Sequence, residues 1–290
     1  MDIKKYKVAE GEKIDLSDFC PGDTGEFESA GEAKKAREKN TEEIAEYQAK
    51  LYAEGKYALL IIFQAMDAAG KDSAIKHVMS GINPQGVDVH SFKQPSAQEL
   101  AHDYLWRAAK VLPERGKIGI FNRSYYEDVL VVKVHKLYEK QNMPDYCKAD
   151  GIIENRYRQI REFEKYLWEN GTVTLKFFLH LSKETQRKRL LDRIDKKDKN
   201  WKFSEADIEE RKFWDDYQEA YQSAIAATST EHSPWYIVPA DKKWHTRAVV
   251  SEALLRTMKK IDPKYPTISP RQEEILAECK LNLAPQKNDR

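Results

Sequence analysis

Eight consecutive residues, Ala65-Met66-Asp67-Ala68-Ala69-Gly70-Lys71-Asp72, combine a tight small-residue turn with a lysine and two carboxylates. The N–H groups of such a turn, with a helix start behind it, favour an anion, and the lysine adds a point charge. That is the chemistry of a phosphate cradle. The general pattern G-x-x-x-x-G-K-[ST] is met at Gly70-Lys71 and broken twice. Ala65 stands in place of the first glycine, and Asp72 in place of the Mg²⁺-binding hydroxyl, with Ser73 one residue late. Asp67 would repel phosphate unless a cation sits between them, so it is a candidate Mg²⁺ ligand.

A second group follows an apolar run at Phe121-Asn122-Arg123-Ser124-Tyr125-Tyr126-Glu127-Asp128. A strand end carrying Arg, Glu and Asp is poorly explained by packing. In phosphoryl transfer a strand-end carboxylate completes the metal site and an arginine steadies the moving oxygens. Asp128 is the metal candidate, and Glu127 a substrate contact. Alone, the pair would read as an ordinary helix start favoured by the macrodipole; beside Asp67 and Lys71 the functional reading is stronger. A third group is basic: Lys183 to Lys202 holds nine Lys/Arg against four acids. Arg189 and Arg193 are four apart and share a helical face. Next to a phosphate loop this reads as a lid rather than a solvated charged hairpin, with Lys196 to Asn200 as its mobile tip.

These groups need elements to hold them. Tyr57–Phe63 is apolar and partly β-branched, the signature of a buried parallel strand, and the residues from Asp72 to Ser80 form a helix after the loop. Further strands are expected at Val87–Phe92, Lys117–Phe121, Thr172–Leu179 and Trp235–Val238. Helices are expected at 38–54, at Ser96–Lys110 with a Ser96/Glu99 capping box, at Gly151–Asn170 ended by Gly171, and at Trp244–Lys260. Strands separated by helices give a three-layer α/β/α sandwich with a mostly parallel five-stranded sheet, and ligands lie at the carboxyl ends of its strands. The expected organisation is an N-terminal arm over 1–36, a catalytic domain over 37–262 with the lid inserted at 182–230, and a tail over 263–290. His77 and His102 read as satisfied helix histidines, with Asp103 placed to orient His102. Trp106, Trp168 and Trp214 read as core.

Composition narrows the partners. The chain has 290 residues, 33% of them charged, with a net charge of +1. That balance speaks against a general nucleic-acid binder and confines any polyanion site to a local patch. Cys20, Cys147 and Cys279 are far apart and lack C-x-x-C spacing, which points to a reducing compartment. The start of the chain lacks the apolar region of a signal peptide, and no apolar run reaches membrane-spanning length. A cytoplasmic protein without membrane partners is expected.

At these residues the chain resembles the polyphosphate kinase 2 family. The resemblance rests on A-M-D-A-A-G-K-D at 65–72, G-V-D-V-H-S-F-K-Q-P at 86–95, H-D-Y-L-W-R at 102–107, F-N-R-S-Y-Y-E-D at 121–128 and R-K-R-L-L-D-R at 187–193, and covers roughly residues 35–260. Tyr125-Tyr126-Glu127-Asp128 is similar to the class III branch, which accepts nucleoside mono- and diphosphates. The resemblance implies a P-loop kinase-like fold with a helical lid. It implies transfer of a terminal phosphoryl group between inorganic polyphosphate and AMP or ADP, assisted by Mg²⁺ or Mn²⁺, in a homodimer or homotetramer. Adenine nucleotides are the expected acceptors, with guanine as the alternative base. By position, Asp67 and Asp128 would hold metal, Lys71 would steady the transferring group, Arg123 would bind phosphate oxygens, and Arg187, Arg189 and Arg193 would close over the phosphates. Candidate substrate contacts are Ala68, Ala69, Gly70, Asp72, Ser73, Lys76, Lys93, Asn122, Glu127 and Lys133; solvated surface positions are the alternative for the lysines. The rivals are an ATP-dependent nucleotide kinase of the same fold and a non-catalytic polyphosphate-binding protein.

Overall fold

The apolar run after Tyr57 is buried on both faces, and the rest of the molecule is arranged around it. In a computed structural model that describes residues 1–283, it forms β1 (Ala58–Gln64), the middle of a five-stranded sheet. The others are β2 (Val87–Ser91), β3 (Ile118–Asn122), β4 (Thr172–His180) and β5 (Trp235–Pro239). Their order is β2-β3-β1-β4-β5, and every pairing is parallel. Side chains alternate across a strand, so Leu59, Ile61 and Phe63 enter one core layer while Leu60 and Ile62 enter the other.

In chain order the helices are α1 (Ala30–Glu54), α2 (Lys71–Val78), α3 (Ala97–Leu100), α4 (Trp106–Ala109), α5 (Val131–Val134), α6 (Ile152–Glu169), α7 (Lys183–Asp195), α8 (Glu205–Glu210), α9 (Trp214–Thr228), α10 (Lys243–Ile261) and α11 (Pro270–Asn282). Helices α1, α2 and α10 cover the first face through Ile44, Leu51, Val78, Val249 and Leu254. Helices α6 and α9 cover the second through Tyr157, Ile160, Tyr221 and Ile225. The three-layer sandwich expected from the alternating pattern is present, with the sheet wholly parallel. Among the described residues no helix is long and apolar enough to cross a membrane.

Several local expectations need correcting. Helix α1 begins at Ala30 rather than at 38, because the Ser29 side chain caps it by accepting from Glu32 N. The Ser96 capping box is present, but the helix it starts ends at Leu100. The Asp103 carboxylate accepts from the N–H groups of Leu105 and Trp106 and starts a new turn there. Asp103 therefore caps rather than orients His102, whose ring stacks on Trp106 with centroids 3.9 Å apart. Trp214 is buried, Trp106 is partly buried, and Trp168 is half exposed at the end of α6 beside His232. His77 is satisfied within its helix by Ser73 O at 2.8 Å. The N-terminal stretch is packed down: Ile3, Tyr6, Val8 and Leu16 are buried, and Val8 N donates to Trp235 O beside β5. The tail expected over 263–290 carries α11, and its residues 284–290 lie outside the described residues.

Two buried histidines give the fold a pH dependence. The Tyr6 hydroxyl donates to Asp23 and lies 2.9 Å from His245 Nε2. It has one proton, so His245 donates from Nε2 and its buried Nδ1 has no partner among the described residues. Charging Nδ1 would bury an unpaired N–H, and burial holds His245 down to about 4. His180, buried at the end of β4 with Nδ1 also unpartnered, is likewise held down to about 4. Free imidazoles protonate near 6.5, so between those values the unfolded chain binds more protons than the folded one. The histidines therefore destabilise the fold as pH falls from 6.5 to 4, by on the order of 2 kcal/mol each, against an opposite contribution from Asp128, which burial holds up to about 6. Thermal melting across that range should show the midpoint dropping, and His245→Gln should flatten the slope. Equal slopes in wild type and His245→Gln would contradict this account.

Candidate active site

Sheet register brings the two chemical segments together. Phe63 pairs with Asn122, and Arg123 N donates to Phe63 O at 3.0 Å, so the loop leaving Gln64 runs beside the end of β3. Both segments turn through left-handed backbone: Ala68 has φ +63°, Gly70 φ +106° and Arg123 φ +63°. Gly70 is the N-cap of α2 and suits that conformation. For Ala68 and Arg123 it costs roughly 1–3 kcal/mol each and must be imposed by their surroundings.

Lys71 folds back under the loop and donates to Ala65 O at 3.0 Å. Burial pushes its amine down and Arg123 adds to the effect, while Asp67, Glu127 and Asp72 work to keep its charge. Arg123 sits between two carboxylates: Nη2 is 2.9 Å from Asp67 Oδ1, and Nη1 is 3.9 Å from Glu127 Oε2. Burial opposes its charge, but Glu127 and then Asp67 outweigh burial and hold the guanidinium above its usual value. Gln64, fully buried as the last residue of β1, donates to Glu127 Oε1 at 3.0 Å. Lys71, Asp67, Arg123 and Glu127 thus form one cluster of alternating charge at the carboxyl end of the sheet.

The neighbouring Asp128 turns elsewhere. Arg156 of α6 donates to its backbone carbonyl at 3.0 Å and lies 3.7 Å from its carboxylate. Burial pushes the Asp128 carboxyl up to about 6 despite Arg156 and Arg107. Asp72 accepts from Asn122 Nδ2 at 2.8 Å, and Ser73 Oγ accepts from Arg247 at 2.7 Å, so each of these loop residues is already engaged. Lys76 and Lys93 are exposed, and Lys133 lies 3.5 Å from Glu219 of α9.

The basic segment forms α7, a 3₁₀ turn at Lys197–Lys202, and α8. Its tip is tied back, because Asn200 donates to the last carbonyls of α7 at Arg193 and Ile194. The three arginines of this segment have different partners. Arg187 is half exposed and doubly bonded to Glu184. Arg193 pairs with Asp207, whose carboxyl is raised by burial and then by Asp67. Arg189 donates to Ala68 O and Ala69 O with Nη1, and to Ala240 O and Asp241 O with Nη2, at 2.7 to 3.0 Å. It acts as a strut between the phosphate loop and the end of β5 rather than as a free clamp. Arg189→Lys keeps the charge but loses the planar fork. It should lower kcat by about 10²-fold through misplacement of the loop. Steady-state rates set beside a melting curve check this, and an unchanged kcat would refute the strut.

The sequence reading passed over several residues that the fold brings here. Lys243 and Arg247, in the first turns of α10, line a groove with Gly70 and Ser73. Their signal was position, just past the carboxyl end of the fifth strand. Gln64 and Arg156 gave no usable signal. Lys176 did, as a lysine inside an otherwise apolar strand.

No group of three or more His, Cys, Asp or Glu among the described residues forms a ready-made metal cage. The donor chemistry nevertheless suits Mg²⁺, which is usually held by one or two carboxylates together with substrate phosphates.

The family model described as polyphosphate kinase 2 matches residues 28–266. The chain belongs to the polyphosphate kinase 2 family. It is 50% identical over 276 residues to an ADP-polyphosphate phosphotransferase of Rhodopseudomonas palustris, covering 94% of this chain and 96% of that one. It is 46% identical over 277 residues to an AMP/ADP-polyphosphate phosphotransferase of Meiothermus ruber, covering 95% and 100%. The crystal structure of polyphosphate kinase 2 from Arthrobacter aurescens TC1 superposes with a TM-score of 0.86 at 38% identity, covering 95% of each chain. Segments 65–72 and 121–128, both within the matched span, are the two that β1 and β3 bring side by side.

Proposed function

We propose that the chain transfers the terminal phosphoryl group of inorganic polyphosphate to AMP or ADP, reversibly, as a class III member of its family. The observation that carries this reading is its similarity, over nearly its whole length, to relatives named for that reaction. The charge cluster supports it. The acceptor oxygen is a nucleotide phosphate oxygen, already ionised near pH 7, so no strong protein base is required. Its new bond to phosphorus forms as the bridging P–O bond of polyphosphate breaks, and the shortened chain leaves as an anion. The obstacle is repulsion between two polyanions, which calls for neutralisation and alignment. Lys71 and Arg123 supply fixed positive charge, Glu127 places the nucleotide, Arg187 and Arg193 belong to the lid over the phosphates, and Arg189 ties that lid to the loop. Asp67 and Asp128 would hold Mg²⁺ or Mn²⁺, which would neutralise phosphate charge.

Adenine nucleotides are the acceptors, with guanine as the alternative base. Assembly as a homodimer or homotetramer is supported by α11, which has a complete capping box yet exposes Ile275, Leu276 and Leu281. Light scattering of the purified chain tests that point.

The deciding experiment is nucleotide product analysis with Mg²⁺, AMP and long-chain polyphosphate, with ATP as donor in a parallel tube. ADP and ATP should both form from polyphosphate. ADP alone would retain the family activity and remove the class III assignment. Turnover only with ATP would make the chain a conventional nucleotide kinase. Silence in both tubes would favour a binding protein.

A further inference from the structure

On the face of the sheet covered by α6 and α9 lies a charge pair shielded from solvent. Lys176 of β4 and Glu164 of α6 are both fully buried, with Nζ and Oε2 2.6 Å apart. Desolvating two charges costs free energy that apolar residues of similar volume would not, so a buried pair is a poor stabiliser of a fold. This one is completely satisfied. Lys176 also donates to Thr228 O at 2.8 Å and to the Tyr126 hydroxyl oxygen at 3.0 Å. Glu164 Oε1 accepts from the hydroxyls of Tyr125 and Tyr126, each at 2.9 Å.

Those tyrosines immediately precede Glu127 and Asp128. Their segment is irregular, with Arg123 at φ +63°, Ser124 capping Tyr126 N, and a 3₁₀ turn over Tyr125–Val129. After Arg123 N, which bonds Phe63 O, the sheet ladder stops, and the turn beyond it depends on side-chain contacts to hold its shape. We propose that Glu164 and Lys176 are positioning residues for phosphoryl transfer: the carboxylate grips both tyrosine hydroxyls, the lysine holds the carboxylate, and together they fix the turn carrying Arg123, Glu127 and Asp128. The inference rests on the reading that this turn belongs to the reaction site.

Two full-length double variants separate positioning from bulk stability. Lys176→Met/Glu164→Gln removes both charges but keeps an acceptor for the tyrosines, and it should lose far less kcat than a variant without that acceptor. Lys176→Met/Glu164→Leu removes the grip and should lower kcat by about 10- to 100-fold, as loss of supporting contacts around a site commonly does. The KM for ADP should move far less. Tyr125→Phe/Tyr126→Phe should reproduce that loss, and combining it with the Leu variant should add little, as expected for one coupled unit. A purely structural pair predicts the reverse, with altered melting midpoints and unchanged kcat in the folded fraction. A folded Leu variant at wild-type kcat, or equal losses in the Gln and Leu variants, would overturn the proposal. If the Leu variant does not fold, the phenylalanine variant decides alone, and wild-type kcat there overturns it. Glu127→Gln and Asp128→Asn are assayed alongside. Full activity in both would mean that the site reading itself has failed, and the positioning role with it.

Discussion

Lys71→Ala is expected to lower turnover with polyphosphate and ADP by about 10³-fold or more, while the melting midpoint stays within a few degrees of wild type. The rate loss follows from the location of the charge. Lys71 is buried beneath the loop among Asp67, Glu127 and Asp72, where a cation acts through little screening water. Charge on the transferring group is spread over its equatorial oxygens, and a preformed cation beside them pays no reorganisation during the step. The small stability effect follows from the partners. The amine makes one hydrogen bond, to Ala65 O, and Asp67 keeps its 2.9 Å contact with Arg123 when Lys71 is gone. No carboxylate is left buried and alone, which is the usual cause of a large loss. Initial rates on folded protein, verified by circular dichroism, check both halves. A folded Lys71→Ala protein with a near-normal rate would sink the mechanism.

The sequence was most informative where one local pattern has one physical cause. β1 was legible because a strand buried on both faces must be apolar throughout. The phosphate loop was legible because small residues, Gly70 and Lys71 are contiguous. The break in the helix expected over 96–110 was not, since Asp103 as cap competes with Asp103 as an ordinary helix residue, and the outcome depends on the fold. Side-chain direction was also out of reach. Arg189 reads as lid charge, yet its acceptors Ala69 and Ala240 lie 120 and 51 residues away in sequence. Glu127 and Asp128 are adjacent, but Gln64 draws the first toward Asp67 while Arg156 draws the second toward α6.

That divergence yields the second large effect. Asp128→Asn should lower kcat by about 10²-fold or more and raise the Mg²⁺ concentration needed for half-maximal rate. Glu127→Gln should act mainly on the KM for the nucleotide. A carboxyl pushed up to about 6 by burial is short of positive charge, because Arg156 at 3.7 Å does not fully compensate it. A cation bound there would supply what burial withholds, so the same feature that favours the proton in the free protein favours Mg²⁺. The two compete, and apparent Mg²⁺ affinity should fall as pH drops below about 6. Asp67→Asn should also abolish turnover, but it releases Arg123 from its ion pair and so changes two things at once. Mg²⁺ titrations of the three variants at about pH 5.5 and about pH 7.5, one below and one above the Asp128 midpoint, distinguish the roles. If Glu127→Gln rather than Asp128→Asn shifts the Mg²⁺ midpoint, the metal lies on the Asp67 side of Arg123, and Asp128 serves to anchor the turn through Arg156.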